Sequence, residues 1–379
     1  MILFRRTSLL AVALGLFTLI YLVNHFRLFS SGKPPYIYGE NDPKALYDPS
    51  LFHSGAAKPA GQNYTRMLVM GRLAKEDVSW LDKDLPDLPK TIYIVDAPDH
   101  SGLPANKGHE GMVYLTYIID HYDSLPDVVL FFHPHKITWH NNILLDLSLS
   151  TTIKLLSDAH VMRQGYFNSR CHLDPGCRNW LHIDQSKWKY DHIHKPEEPF
   201  FTSKVFHDLF GADIPIPSSI SQPCCAQFAV SGERIRQRPR EDYIRYRSWL
   251  LSTPLEDTTS GRIMEYAWQY IFSGQFNFCP SQHKCYCDGY GICFEGGDEG
   301  LKAWLALLRQ KEALDKKMVK VWEQGEAART SEKYKLLQVQ SAQFGTRLVD
   351  LREAAIRKGF DPKSRAQACG REWHEGDGF

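Results

Sequence analysis

The stretch "VVLFFHPHKITWH", Val128 to His140, decides the reading of the fold. It opens on five apolar residues, the composition of a strand buried on both faces, and stops abruptly at His133, Pro134 and His135. Upstream, "RMLVMGRL" and "TIYIVDAP" read as two further strands, the second ending in Asp96. Between them and Val128 lies "GHEGMVYLTYIIDHYDSL", whose Met112, Leu115, Ile118 and Ile119 recur at helical spacing. Strand, helix and strand in that rhythm predict parallel pairing and an α/β fold with a mostly parallel, Rossmann-like sheet flanked by helices.

Downstream, "CCAQFAVSGERIRQRP" reads as a strand running into a turn, and "REDYIRYRSWLLS" and "SGRIMEYAWQYIFSG" as two helices. From residue 300 to 379 a Lys/Glu-rich helical pattern predicts a peripheral helical tail covering the core. The catalytic α/β domain is set at 65–299. At the other end, the uncharged stretch at 7–24 has the length of a membrane-crossing helix and is expected to be a single-span anchor. Arg5 and Arg6 against Arg27 and Lys33 give it only a slight orientation bias. Residues 25–64, rich in Pro, Gly and Ser, read as a stem, and "NYT" makes Asn63 a glycosylation acceptor.

A net charge of +1 excludes a generally basic nucleic-acid binder, so a polyanion would have to meet a local patch. Nine cysteines leave one thiol over, and Cys369 reads as a buried small hydrophobe. Cys279, Cys285, Cys287 and Cys293 do not follow zinc spacing; with Cys171 and Cys177 they are disulfide candidates, their pairing left open, in a lumenal body.

Ligands of open α/β sheets gather beyond the carboxyl ends of the strands. Candidates there are Glu76 and Asp77 after the first strand, Asp96 after the second, and the helix start with Asn106, Lys107 and Glu110, where backbone amides and a lysine can hold an anion. His133, His135 and His140 follow the central strand and read equally as polar pocket groups or metal ligands. In "LEDTTSGRIMEY", Asp257 and Glu265 stand about two turns apart, with Ser260 and Arg262 between them. If the helix starts as early as Asp257, the two carboxylates share a face and can hold a cation or act as general base. Gln227, in the later strand region, completes the substrate-binding set. Arg234, Arg236, Arg238 and Arg245, interleaved with Tyr243 and Tyr246, form a candidate phosphate patch, against which stands a helix face neutralised by Glu233, Glu241 and Asp242.

"EDVSWL", "IYIVDAP", "NKGHEGMVYLTYIIDHYDSLPDVVLFFHPH", "WHNN", "GYFNSRC", "CCAQFAVSGERIRQRP", "TSGRIMEYAWQYIF" and "CYCDGYGIC" together resemble a largely fungal family catalogued as a domain of unknown function, over Met67 to Cys293. The arginine-containing cyclodipeptide synthases are similar to that family. The resemblance implies a tRNA-dependent enzyme that closes an arginyl and a second aminoacyl group into a cyclic dipeptide, with aminoacyl-tRNAs as partners, no cofactor and no metal. It also implies an acidic motif near "LEDTTSGRIME", from which this chain departs by having Ser260 and no acidic residue there. On that reading Glu265 is the first choice for general base, with Asp257, His133 and His135 beside it as catalytic candidates.

The layout also resembles GT-A glycosyltransferases, whose deep strand commonly ends in D-x-D, where this chain has His133-Pro134-His135. The alternative is therefore a lumenal glycosyltransferase of the secretory pathway, which the anchor, sequon and cysteines suit better than cytosolic tRNA does. A non-catalytic binding module on the same scaffold is the third reading. No obligate protein partner is implied.

Overall fold

The computed structural model describes residues 52–183 and 193–379. Five strands form one sheet: β1 (Arg66–Arg72), β2 (Lys90–Ile94), β3 (Val128–Phe131), β4 (Tyr166–Asn168) and β5 (Phe228–Ser231), in the order β2-β1-β3-β5-β4. The helices are α1 (Trp80–Asp84), α2 (Glu110–His121), α3 (Leu149–Leu155), α4 (Asp158–Gln164), α5 (Ser203–Phe210), α6 (Gly232–Arg236), α7 (Arg240–Ser252) and α8 (Asp257–Glu265). They continue with α9 (Trp268–Ser273), α10 (Gln282–Tyr290), α11 (Asp298–Trp322), α12 (Glu326–Arg329), α13 (Glu332–Gly359) and α14 (Pro362–Ala368).

All four residues of β3 are buried, and its alternating side chains feed two cores. Val129 and Phe131, with Val69 of β1, meet Met112, Leu115, Leu250, Ile263 and Trp268 from α2, α7, α8 and α9. Val128, Leu130 and Phe132, with Leu68 and Met70, meet Trp80, Ile153, Tyr286, Trp304 and Leu348 on the opposite face. The period-two alternation of a strand thus divides one apolar run between two helical layers. The helical tail joins the second core through Leu301, Trp304, Leu307, Leu348 and Ala355, and the Trp304 indole N–H donates to the Leu348 carbonyl at 2.9 Å.

The expected fold needs two corrections. The sheet is mixed, not mostly parallel: β1 pairs in parallel with β2 and β3, whereas β5 runs antiparallel to both β3 and β4. Two antiparallel strands satisfy the same pattern of burial as two parallel ones, so composition cannot reveal direction. The second correction concerns the transmembrane helix. Among the described residues no helix is long and apolar enough to cross a membrane; α11 and α13 have the length, but charged residues run along both. Residues 7–24 lie outside the described residues.

Two elements also differ locally from the expected ones. The turn after β5 is the short helix α6, capped by the Ser231 hydroxyl, which accepts from the Arg234 N–H. The single helix expected over "SGRIMEYAWQYIFSG" starts earlier, at Asp257, and breaks into α8 and α9. Side-chain amides replace helical donors at the break: Gln222 donates to the Glu265 carbonyl, and Gln269 to the Tyr266 carbonyl at 2.8 Å.

The arginine patch dissolves into this packing. Arg238 is fully buried and pairs with the equally buried Asp242 at 2.8 Å while donating to the Tyr246 hydroxyl at 2.7 Å. Arg234 is buried too, donating to the Phe272 and His53 carbonyls, and Arg245 pairs with Asp242 at 3.0 Å. Of the four, only Arg236 is exposed. These arginines hold α6, α7 and α9 together and present no phosphate-binding face.

Removing one partner of a buried pair strands the other as a charge without compensation. Asp242→Ala is therefore expected to lower unfolding free energy by roughly 3–5 kcal/mol in urea titrations. A loss under about 1 kcal/mol, typical of exposed pairs, would contradict the structural role assigned to Arg238.

Candidate active site

Because β5 is antiparallel to β3, the end of β3 and the approach to β5 lie side by side, with Phe131 opposite Phe228. Residues after Phe131 and before Phe228 thereby converge. The His133 N–H donates to the Gln227 side-chain carbonyl at 3.2 Å, and the Gln227 amide donates to Asn141 at 3.2 Å. Gln227 is thus a strut for the histidine loop. His133 and His140 meet edge to face with ring centroids 5.5 Å apart, and Trp139 packs against His140 at 4.2 Å. Arg170, which follows β4, donates to the Trp139 and His140 carbonyls at 2.9 Å and lies 5.0 Å over the Trp139 ring.

The start of α2 supplies the next wall. The Gly108 and His109 N–H groups both donate to one oxygen of Asp257, at 2.6 and 3.2 Å, and the His109 ring pairs with its other oxygen at 3.2 Å. The anion expected at this loop is thus the chain's own Asp257. Gly261 permits the approach: a Cβ there would stand 2.9 Å from His109 Cγ. Lys107 does not face an anion; it donates to the Thr253 and Leu255 carbonyls. Asn106 is exposed, and Ser260 donates back into its own helix, to the Glu256 and Asp257 carbonyls.

Glu265 ends α8 and is half-buried. Its Oε1 accepts the Cys225 N–H at 2.5 Å. Around it stand Glu110, whose Oε2 is 3.9 Å from the His133 Nε2, and Glu197, whose side chain is only 3 % exposed and pairs with Arg262 at 3.6 Å. Burial pushes Glu110 up to about 7, aided by the Glu265 charge, and Glu197 likewise to about 7. Glu265 is raised by the same cause, against the pull of the Cys225 N–H. Imidazoles move the other way. Burial takes His133 down to about 3 and His140 to about 4, so both are neutral at physiological pH. Asp257 is held low by its bond to His109, which is raised in return. The His133 Nε2 and His140 Nδ1 are buried atoms without a hydrogen-bond partner.

This cluster can bind a cation in a dry setting and can both give and take a proton near neutrality. The structure brings Glu265, Asp257, Glu110, His133, His140 and Arg262 into it. Gln227 supports it from beneath the histidine loop, and Glu76, Asp77, Asp96, Asn106, Lys107, His135 and Ser260 lie outside. Glu76 accepts from the Leu73 N–H and pairs with the exposed His135 at 3.2 Å. Asp77 closes a local turn onto Ser79, and Asp96 ties the first two strand ends by accepting from Ala74. A cleft of about 500 Å³ lies beside these residues, lined by Arg72, Lys75, Glu76, Asp77, Asp82 and Lys90. Its charges balance, and it holds none of Glu110, Glu197 and Glu265.

Sequence reasoning missed Glu197, His109, Arg170 and Cys225 as members of the site. Glu197 left one signal, a pair of adjacent glutamates in the aromatic "HKPEEPFF", and Cys225 another, the doublet "CC" just ahead of a buried strand.

The cysteines pair as Cys171–Cys285, Cys177–Cys279, Cys224–Cys225 and Cys287–Cys293, with Cys369 free and buried. All six candidate cysteines are thus in disulfides, and the leftover thiol is the one expected. A metal could be held where Cys224, Cys225 and Glu265 bring three ligand atoms within 4.8 Å of one another, were the two sulfurs not bonded.

Fold and site together define an α/β protein with a largely enclosed acid cluster at the ends of the central strands of a mixed sheet. The chain belongs to the family described as Protein of unknown function (DUF3431), which it matches over residues 68–288, more than half its length. No curated protein and no solved structure matches it.

The raised Glu110 ties stability to pH. Its folded value of about 7 lies above the value near 4.3 of an unfolded glutamate, so the folded form binds the extra proton, and stability falls as pH rises between the two. Glu110→Gln should leave stability near wild type at pH 4 and raise it at pH 8 by on the order of 3 kcal/mol. Urea unfolding curves of the two proteins that keep a constant separation between these pH values would refute the assignment.

Proposed function

We propose that the chain is a group-transfer enzyme acting on a cationic substrate, specifically an arginine-containing cyclodipeptide synthase. The observation that carries this reading is the set of three glutamates, Glu197 buried and Glu110 and Glu265 half-buried, gathered round one site, with Arg262 paired to Glu197. Carboxylates clustered away from water are costly unless a cation joins them, and the five N–H donors of a guanidinium can pair with two of them and reach the third.

An aminoacyl ester is already activated, so the protein need only position two acyl groups, take a proton from the attacking amine and steady the oxyanion. Glu265 suits the role of base: burial raises its affinity for a proton, and Oε1 is fixed by Cys225, which leaves Oε2 toward the substrate. Glu110, protonated below about 7 and 3.9 Å from the neutral His133, suits return of a proton to the departing oxygen. Asp257, locked by Gly108, His109 and its own helix, positions α8 against α2 and takes no proton.

A second reading, a glycosyltransferase of the secretory lumen, is favoured by the four disulfides, which persist in oxidising compartments. The exposed Asn63 would then carry a glycan. In this reading the same Glu110 and Glu265 serve as acid and base, with His133 and His135 standing where a metal-binding D-x-D is usual.

Expression of the full chain in a heterologous host, with mass spectrometry of the medium, is expected to reveal a cyclic dipeptide containing arginine, abolished by Glu265→Gln without loss of folded protein. Folded wild-type protein that yields no such product removes the synthase reading, and undiminished product from Glu265→Gln removes Glu265 as base. Endoglycosidase treatment decides compartment: a mobility shift that vanishes in Asn63→Gln places the body in the lumen and favours sugar transfer.

A further inference from the structure

Cys224 and Cys225 are neighbours in sequence joined by a disulfide, and the ring that results backs directly onto Glu265. Both are nearly buried, at 4 % and 7 % exposure. Cys225 and Ala226 have φ of 86° and 45°, two consecutive non-glycine residues in the left-handed region, where an L side chain is disfavoured. The chain on either side is pinned. Asn168 donates to the Pro223 carbonyl at 2.7 Å, Tyr166 to the Gln222 side-chain carbonyl at 2.8 Å, and the Cys224 N–H to the Pro175 carbonyl at 3.1 Å. Beyond the ring, the Ser169 N–H and hydroxyl both donate to the Gln227 carbonyl at 2.9 Å. The strained link between these anchors carries the one N–H that Glu265 accepts.

We propose that the Cys224–Cys225 disulfide is a redox latch on Glu265. Closed, it holds residues 225 and 226 in their left-handed turn and the Cys225 N–H on Oε1. A dithiol reductant attacks one sulfur, breaks the S–S bond through a mixed disulfide, and leaves as its own cyclic disulfide, so two electrons and two protons pass to Cys224 and Cys225 as thiols. With the ring open, residues 225 and 226 relax toward negative φ and the N–H turns away. Glu265 loses the donor that offsets its burial, holds its proton more tightly and ceases to act as a base near neutrality. The cysteines are positioning residues, and their action on turnover rests on the role proposed for Glu265; the opening of the ring does not.

The test uses the full chain, titrated with dithiothreitol and read by differential alkylation and mass spectrometry. Cys224 and Cys225 are expected to become alkylatable at a lower reductant concentration than Cys171–Cys285 and Cys287–Cys293. Under that partial reduction, carbodiimide-driven amidation of Glu265, a readout independent of turnover, should change severalfold and return on reoxidation with diamide. The double variant Cys224→Ala/Cys225→Ala should show the reduced labelling level at every redox setting. If the synthase assay is positive, that variant should lose roughly tenfold to a hundredfold in kcat with little change in KM, the worth of one hydrogen bond to a charged group, with the rising limb of the pH profile moved to higher pH. Two results overturn the latch: opening of Cys224–Cys225 only together with the other two pairs, or Glu265 labelling that is the same with the ring open and closed. A silent wild-type enzyme with the labelling change intact would defeat the functional reading and spare the latch.

Discussion

The hydrogen bond from the Cys225 N–H to Glu265 is the constraint around which the site is organised. A glutamate at the end of α8, facing the approach to a buried strand, must find a donor or surrender its charge. The donor it finds belongs to a segment that has already left regular structure. Holding it there requires left-handed backbone at Cys225 and Ala226, the break between α8 and α9, and Gln222 bridging from Tyr166 and Asn168 to the Glu265 carbonyl. Each of these departures from local rules meets at one half-buried carboxylate. Places where a chain breaks such rules together are where function is expected.

The surrounding ionisable groups are sorted by burial, not by ion pairing. Glu110 and Glu197 are pushed up to about 7 while His133 and His140 are pushed down to about 3 and 4, an inversion of the ordinary order in which, as pH rises, carboxyls ionise before imidazoliums lose their charge. Near neutrality the site therefore contains protonated acid beside neutral imidazole, and its proton content responds to whatever cation or dipole enters. Where an anion is required permanently, at Asp257, two backbone amides and His109 provide for it. The contrast is between Asp257, fixed as a charge, and Glu110 and Glu197, whose values near 7 leave them between states.

Much of this was legible in the sequence, and the limits have physical reasons. Val128 to Phe132 announced a central strand because burial on both faces demands an unbroken apolar run. Asp257 and Glu265 share one face if the helix begins at Asp257, as it does, and apolar "MEYAWQYIF" marked Glu265 as lying near buried surface. The direction of β5 was illegible, since strand polarity leaves no trace in composition. That one unknown hid how the site is assembled: Gln227 meets the histidine loop because β5 runs antiparallel to β3. Arg234 and Arg238 misled for a related reason. A basic cluster looks like a surface until tertiary packing reveals Asp242 and backbone carbonyls inside it.

Long connections then become the means by which the site is assembled and not a weakness of the fold. Arg170, Cys224, Cys225 and Gln227 all lie on the path from β4 to β5, between residues 168 and 228, far longer than an ordinary strand connection of about 4–6 residues. A loop of that length supplies groups freely but cannot hold them to a fraction of an ångström unaided. Cys171–Cys285 and Cys177–Cys279 fasten its first turn to α10 and to the residues before it, across separations of 114 and 102 residues. In the chain-entropy account, a loop of about that size yields roughly 4.7 kcal/mol for the first crosslink, and the second, nested within it, adds less. The crosslinks grip the segment on the far side of Arg170 from β4, so this arginine is fixed at both ends and in turn fixes Trp139 and His140. Rigidity reaches the histidines from the disulfides, and it reaches Glu265 from the strand, which is why opening a distant pair would disturb the first while leaving the second to Cys224 and Cys225 alone.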